Sequence, residues 1–288
     1  MNLNLSNTLQ NKIHYTLRLA VAMCFIGHGA FGIITKPIWC NYFAIFGIGH
    51  DLAYRLMPLL GSFDILLGIG MLIYPMRVIP IWLVIWGAFT AFLRPLSGEP
   101  FAEFIERAGN FGAPLIILIL SGGVGKNFRS IFIPVNIPAD VDMKTFDRVS
   151  ICLRIFAFLL LAGHGWLNLL EKKSLLSQYT SVGFTNAGKT AVTIGLCEII
   201  AAFAVLIRPI RPLIFVLFIW KMGSELFYPH QELFEWIERG GSYGVLLALW
   251  FALDLKNPSW LSKAKRSGIP QCSTSRSSSI RAMSITSI

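Results

Sequence analysis

The sequence predicts an all-α integral membrane protein with eight transmembrane helices, arranged as two four-helix repeats related in parallel. Three observations predict this. The 288 residues are 55% hydrophobic and 14% charged, with a mean hydropathy of +0.63, whereas a soluble domain carries about 25% charged residues. Several runs reach the roughly 20 apolar residues that a spanning helix needs, without the alternation of barrel strands. A set of Gly, Pro, His and charged residues also recurs in the same order in the two halves.

The first repeat, residues 1–122, supplies helices over about 16–35, 55–74, 78–95 and 101–122. The second, residues 149–256, supplies helices over about 149–170, 187–207, 210–228 and 233–254. Residues 123–148 link them, with Pro134, Pro138 and mixed charge that suit the membrane surface. Residues 257–288 are rich in Ser, Thr and basic residues, too poor in apolar side chains to pack, and are expected to be disordered. The first fifteen residues lack an apolar core, so no cleavable signal peptide is expected and the first helix serves as the insertion signal.

The duplication is read residue by residue. Gly27-His28-Gly29 recurs as Gly163-His164-Gly165, and Arg18 precedes the first by the same interval as Arg154 precedes the second. Gly47 matches Gly183. After a short gap, Gly61 and Asp64 match Gly195 and Glu198. Pro75, Arg77, Trp86 and Pro95 match Pro209, Arg211, Trp220 and Pro229. Glu103-Phe104-Ile105-Glu106-Arg107 matches Glu235-Trp236-Ile237-Glu238-Arg239, and Gly109 and Gly112 match Gly241 and Gly244. An even number of helices per repeat places the symmetry axis along the membrane normal.

Charge sets the orientation. The net charge is +10, and Lys12, Arg77, Lys126, Arg129, Lys144, Arg148, Arg208, Arg211 and the tail fall on one side. By the positive-inside rule both termini are expected to be cytoplasmic. The basic tail suits anionic lipid; without interleaved aromatic residues it is not read as a nucleic-acid site. The five cysteines include no Cys-x-x-Cys and no His/Cys cluster at zinc spacing, so a dithiol mechanism lacks its parts and no metal site is expected.

Ionisable residues inside a bilayer cost several kcal/mol unless paired or wet, which makes them functional candidates. His28, Asp64, His164, Glu198, Glu225 and Glu238 form the candidate proton-handling set, and Trp86, Trp220, Lys221 and Arg239 the candidate ligand-binding set. With the termini inside, these residues form one band in the outer half of the membrane. That fits a site open to the outer side better than a through-channel. Each histidine is flanked by glycines, which admit a neighbouring backbone or a flat ligand. The readings left open are a His-carboxylate bond that holds the bundle, a proton relay, and axial haem ligation, the last resting on a weak signal.

The halves differ at Lys221 and Glu225, where the first has Gly87 and Ala91, and at Tyr228 and His230, where it has Arg94 and Leu96. Lys221 and Glu225 are spaced to pair within one helix. The contrasting reading, favoured here, puts the more reactive site in the second half. Arg18 and Arg154 are read as snorkelling to head groups.

The arginine that opens helix one, its Gly-His turn, the glycine and acidic residue of helix two, the basic proline loop before helix three and the polar start of helix four resemble the DoxX/DoxD family of small membrane proteins. The resemblance covers nearly all of both repeats, so this chain is a tandem form. It implies a link to membrane oxidoreductase systems, including subunits that pass electrons to quinone, with Asp64 and Glu198 at the family's acidic position. The expected function is therefore a membrane subunit of an oxidoreductase system that binds quinone or a similar lipid-soluble carrier and takes electrons from a soluble or membrane partner. The alternatives are a small-solute transporter or binding protein, which parallel repeats suit, and a non-catalytic assembly subunit whose polar band locks the bundle.

Overall fold

The computed structural model describes residues 3–125, 127–136, 141–226 and 233–255, with side chains from residue 9 to 254. They are helical, with no strand among them. The tail 257–288, Tyr228 and His230 lie outside the described residues.

In chain order the helices are α1 (Leu3–Ile33), α2 (Trp39–Ala44), α3 (His50–Ile73), α4 (Val78–Leu96), α5 (Ala102–Glu106) and α6 (Ala108–Leu120). A 3-10 turn (Phe128–Phe132) follows, then α7 (Met143–Leu169), α8 (Lys173–Ser181), α9 (Ala187–Ile207), α10 (Arg211–Leu226), α11 (Leu233–Glu238) and α12 (Gly240–Leu255). Five stretches are long and apolar enough to cross a membrane: Leu9–Ile33, His50–Ile73, Val78–Leu96, Met143–Leu169 and Ala187–Ile207. A helical, multi-pass membrane protein follows from length and composition.

Burial sorts these helices into two layers. The apolar windows of α1 and α7 are 61% and 56% buried, whereas those of α3 and α9 are 28% buried. The former, with α6 and α12, form a centre of Leu17, Val21, Ile116, Ile117, Leu153, Leu160, Leu246 and Leu249. The latter turn Leu66, Ile73, Ile200 and Ile207 outward. Such continuous exposed apolar faces suit lipid, not water.

Helix one starts far earlier than residue 16. Leu9, Ile13 and Leu17 recur every fourth position, and the last two are fully buried, so an apolar stripe carries the helix through a polar segment. The segments expected as the fourth helix of each half are each broken. α5 stops at Arg107, whose φ of −87° and ψ of 12° leave the helical region before α6 begins. α11 and α12 part at Arg239 in the same way. Two arginines thereby sit at corners.

Small residues set the contacts. Gly29 and Gly32 meet Gly61 of α3, and Gly165 of α7 meets Gly195 of α9, with backbone on backbone. Gly109 of α6 crosses Gly241 of α12 equally closely. Apolar helices gain little from hydrophobic burial in lipid, so close packing at small residues takes over that role. Arg18 bonds the carbonyls of Met71 and Leu72, and Arg154 those of Leu206 and Ile207. These arginines cap the last turns of α3 and α9, whose carbonyls have no partner in the helix, instead of reaching to head groups. The linker is tied to the first half: Val135 is buried and its N–H donates to Pro75 at 2.7 Å. Asp142 then caps α7 by accepting from the Thr145 N–H.

Candidate functional site

The glycines beside each histidine decide what surrounds it. Gly27 lies against the backbone of Glu238 on α11, and Gly163 against the backbone of Glu106 on α5. A side chain at either glycine would collide with that backbone, so only glycine lets the short helix in. Each half thus lays its short helix on the histidine helix of the other. Two reciprocal ion pairs pin the arrangement, Lys36 with Glu235 at 2.6 Å and Lys172 with Glu103.

The two histidines are held alike. His28 Nδ1 lies 2.8 Å from Asp64 Oδ2, and His164 Nδ1 lies 2.6 Å from Glu198 Oε2. What fills the space beyond them differs.

Around His164 charged and polar side chains interlock. Trp220 Nε1 donates to Glu198 Oε1 at 3.1 Å, and the Asn168 amide donates to Glu198 Oε2 at 3.2 Å. Tyr179 donates its hydroxyl to Asn168 at 2.7 Å. Lys221, 1% exposed, reaches Glu225 at 3.3 Å. Arg239 Nε lies 3.0 Å from Glu225 Oε2, an ion pair without hydrogen-bond geometry, and Arg239 also bonds Glu106, which Arg107 holds at 3.0 Å. Glu106, His164 and Glu225 bring ligand-type atoms within 4.8 Å of one another, a set that a metal ion could use. Lys221 and Arg239 already supply positive charge to two of those carboxylates, and His164 Nδ1 faces Glu198. The set reads as an ion-pair network.

Around His28 there is a cavity of about 140 Å³. Gly87 and Ala91 of α4 stand where α10 carries Lys221 and Glu225, so no long side chain enters. Aromatic and aliphatic groups form one wall: Trp39, Tyr42, Phe46, Leu60 and Phe89. His28, Asp64, Trp86, Thr90, Arg94, Arg107, Asn110 and Glu238 form the polar remainder. The His28 ring lies 4.7 Å from that of Trp39, and Trp86 stacks between Trp82 and Phe89 at 5.8 Å on each side. Asp64 Oδ1 and Trp86 Nε1 are buried without hydrogen-bond partners. Their counterparts Glu198 and Trp220 bond each other. The aspartate is one methylene shorter, and the acceptor and donor are left facing the cavity. Glu238 also lines the cavity, with the charges of Arg107, His28 and Arg94 acting on its carboxylate.

The rim is a second ion-pair chain. Arg94 pairs with Glu99 at 2.9 Å and Glu103 at 3.5 Å, and Arg107 with Glu103 at 2.6 Å. Tyr42 donates its hydroxyl to Glu99 at 2.6 Å, and burial pushes its phenol above the ordinary range, so it stays a donor.

Of the residues singled out in the sequence, His28, Asp64, Trp86 and Glu238 meet at the cavity. His164, Glu198, Trp220, Lys221, Glu225 and Arg239 meet in the filled cluster. Glu238 comes to the first site from the second half, a crossing that residue order does not disclose. Trp39, Tyr42 and Arg94 were not among the site candidates. Trp39 and Tyr42 lie on a short helix between spans, and their signal was the placing of two aromatics in a connector.

Comparison with protein-family models, curated proteins and solved structures finds no match to this chain. Its functional reading rests on its own geometry.

Proposed function

We propose that the protein is a membrane-embedded binding subunit for the aromatic head group of a lipid-soluble carrier, of which a quinone is the best fit, and that the head group lies in the cavity beside His28. The observation that carries this is the pair of buried, partnerless groups, Asp64 Oδ1 and Trp86 Nε1. Leaving such groups unpaired costs about 1–3 kcal/mol each. A quinone carbonyl meets the Trp86 donor, and a hydroxyl of the quinol formed on its reduction also meets Asp64 Oδ1, while Trp39, Tyr42 and Phe89 offer apolar contact to the ring.

In this reading a quinone takes up two electrons and two protons to become a quinol. The electrons come from a partner protein. The chain's own residues hold the protons: His28, bonded to Asp64, stands on one side and Glu238 on the other. The two halves are tandem repeats of a DoxX-like unit, with eight membrane passes when the broken fourth helices are counted, and both termini cytoplasmic. The matching histidine pairs, the crossed short helices and the reciprocal lysine pairs support the repeat. The filled cluster at His164 favours a structural role for the second half, as a lock on the bundle.

The test is an absorption spectrum and solvent extraction of the purified, detergent-solubilised chain, with added short-chain quinone where none copurifies. Wild type and Trp220→Phe should bind quinone. His28→Ala and Trp86→Phe should bind it at least about tenfold more weakly. A wild-type chain that neither carries nor takes up quinone contradicts the proposal. A Soret band lost with His28→Ala replaces it with haem.

A further inference from the structure

The filled cluster at His164 tells what the cavity at His28 is shaped to hold. In the second half, the space next to the histidine-carboxylate pair is occupied by the Lys221 side chain, an alkyl chain whose tip donates hydrogen bonds among carboxylates. Its counterpart space in the first half is lined by carboxylates instead. Asp64 Oδ1 is buried and partnerless, and Glu238 presents a second carboxylate. Trp86 Nε1 is the one buried donor there without a partner. Arg94 and Arg107 also line the cavity, but both are engaged by Glu99, Glu103 and Glu106. Asn110 lines the cavity too and offers a neutral amide, but Asp64 and Glu238 place two carboxylates on the polar side, and carboxylates accept the stronger, charge-assisted bonds.

Resting on the reading above, we infer that the cavity recognises the reduced, hydroxyl-bearing form of its aromatic carrier. One ring hydroxyl donates to Asp64 Oδ1 while accepting from Trp86 Nε1, and Glu238 accepts from a second hydroxyl. A quinone carbonyl can take the bond from Trp86 but offers no donor to Asp64 Oδ1 or to Glu238. A site whose buried polar groups are met only by hydroxyls rejects analogues that lack them. The two halves thus solve one electrostatic problem in two ways: a built-in donor, Lys221, in the second and a ligand's donor in the first.

The experiment uses the full chain in detergent under oxygen-free conditions, with calorimetric titration of three probes. These are an alkyl-substituted hydroquinone, the matching quinone, and the hydroquinone's dimethyl ether. The hydroquinone should bind about tenfold or more tightly than either other probe. In Glu238→Gln, and separately in Asp64→Asn, the preference over quinone should shrink to within about threefold, since each change removes a charged acceptor. The two variants are alternatives should one fail to fold, checked by thermal unfolding. Equal wild-type affinities for hydroquinone and quinone, or a preference for quinone, overturn the inference and leave the aromatic site standing. Binding of none of the three overturns both.

Discussion

The surroundings of His28 and His164 begin from the same parts. Each has a histidine between glycines, a carboxylate on the next long helix, a tryptophan on the one after, and a glutamate delivered from the other half. At His164 the carboxylate is a glutamate long enough to reach Trp220, and Lys221 and Glu225 fill the remaining volume. At His28 an aspartate falls short of Trp86, and Gly87 and Ala91 leave the volume open. Three changes in side-chain length and charge therefore separate a closed ion-pair network from a cavity with bare polar atoms. The backbone that brings the parts together is the same in kind. Whether that space is filled or open is decided by what protrudes into it.

That contrast can be broken most severely at the glycines. Gly27→Leu and Gly163→Leu each push a side chain into the backbone of the opposing short helix. Both should cost more than about 3 kcal/mol and shift thermal unfolding in detergent equally. A tolerated leucine at one site would mean that the short helix is not seated there.

Next in size is Glu225→Ala, which strips Lys221 of its partner in a buried setting and deprives Arg239 of one of its two carboxylates. A loss of about 3–5 kcal/mol is expected. The mirror experiment, Ala91→Glu, introduces the corresponding carboxylate into the cavity and should abolish carrier binding in a titration. Retained full affinity would place the carrier elsewhere.

The tryptophans sharpen the comparison. Trp220→Phe removes a bonded donor from buried Glu198 and should lower stability by about 1–3 kcal/mol. Trp86→Phe removes a donor that bonds nothing and should leave the unliganded protein as stable or slightly more so. Equal losses in chemical denaturation would erase the distinction between the two sites. Among the destabilising changes the smallest is Tyr42→Phe at the rim, which gives up one hydrogen bond to Glu99 and should cost about 1 kcal/mol.

The parts of both sites were legible in the sequence, because buried charge and Gly-His-Gly are rare enough to stand out. Their assignment to places was not. Glu238 and Glu106 sit in their own halves by residue number yet serve the opposite histidine, and the only sequence signal was a glycine whose partner could have been any backbone. The asymmetry was also visible, as Lys221 and Glu225 against Gly87 and Ala91. In the second half the oppositely charged side chains fill space and pair with one another, whereas the missing side chains of the first half make room. Long apolar periodicity placed the spans well. The breaks at Arg107 and Arg239 were not legible because the i, i+3 and i+7 spacing of Glu103, Glu106 and Asn110 suits one unbroken helix face, and no proline marks either corner. The early start of α1 escaped because polar residues outnumber its single apolar stripe.

The central claim is that the carrier occupies the space at His28 and not that at His164. A photoreactive azido-quinone, bound to the purified chain, irradiated and mapped by mass spectrometry of the peptides, tests it directly. The account predicts labelling within 39–48 and 86–94, removed by competition with unlabelled carrier and by Ala91→Glu. Labelling centred on 217–226 instead, with the first half clean, would contradict it.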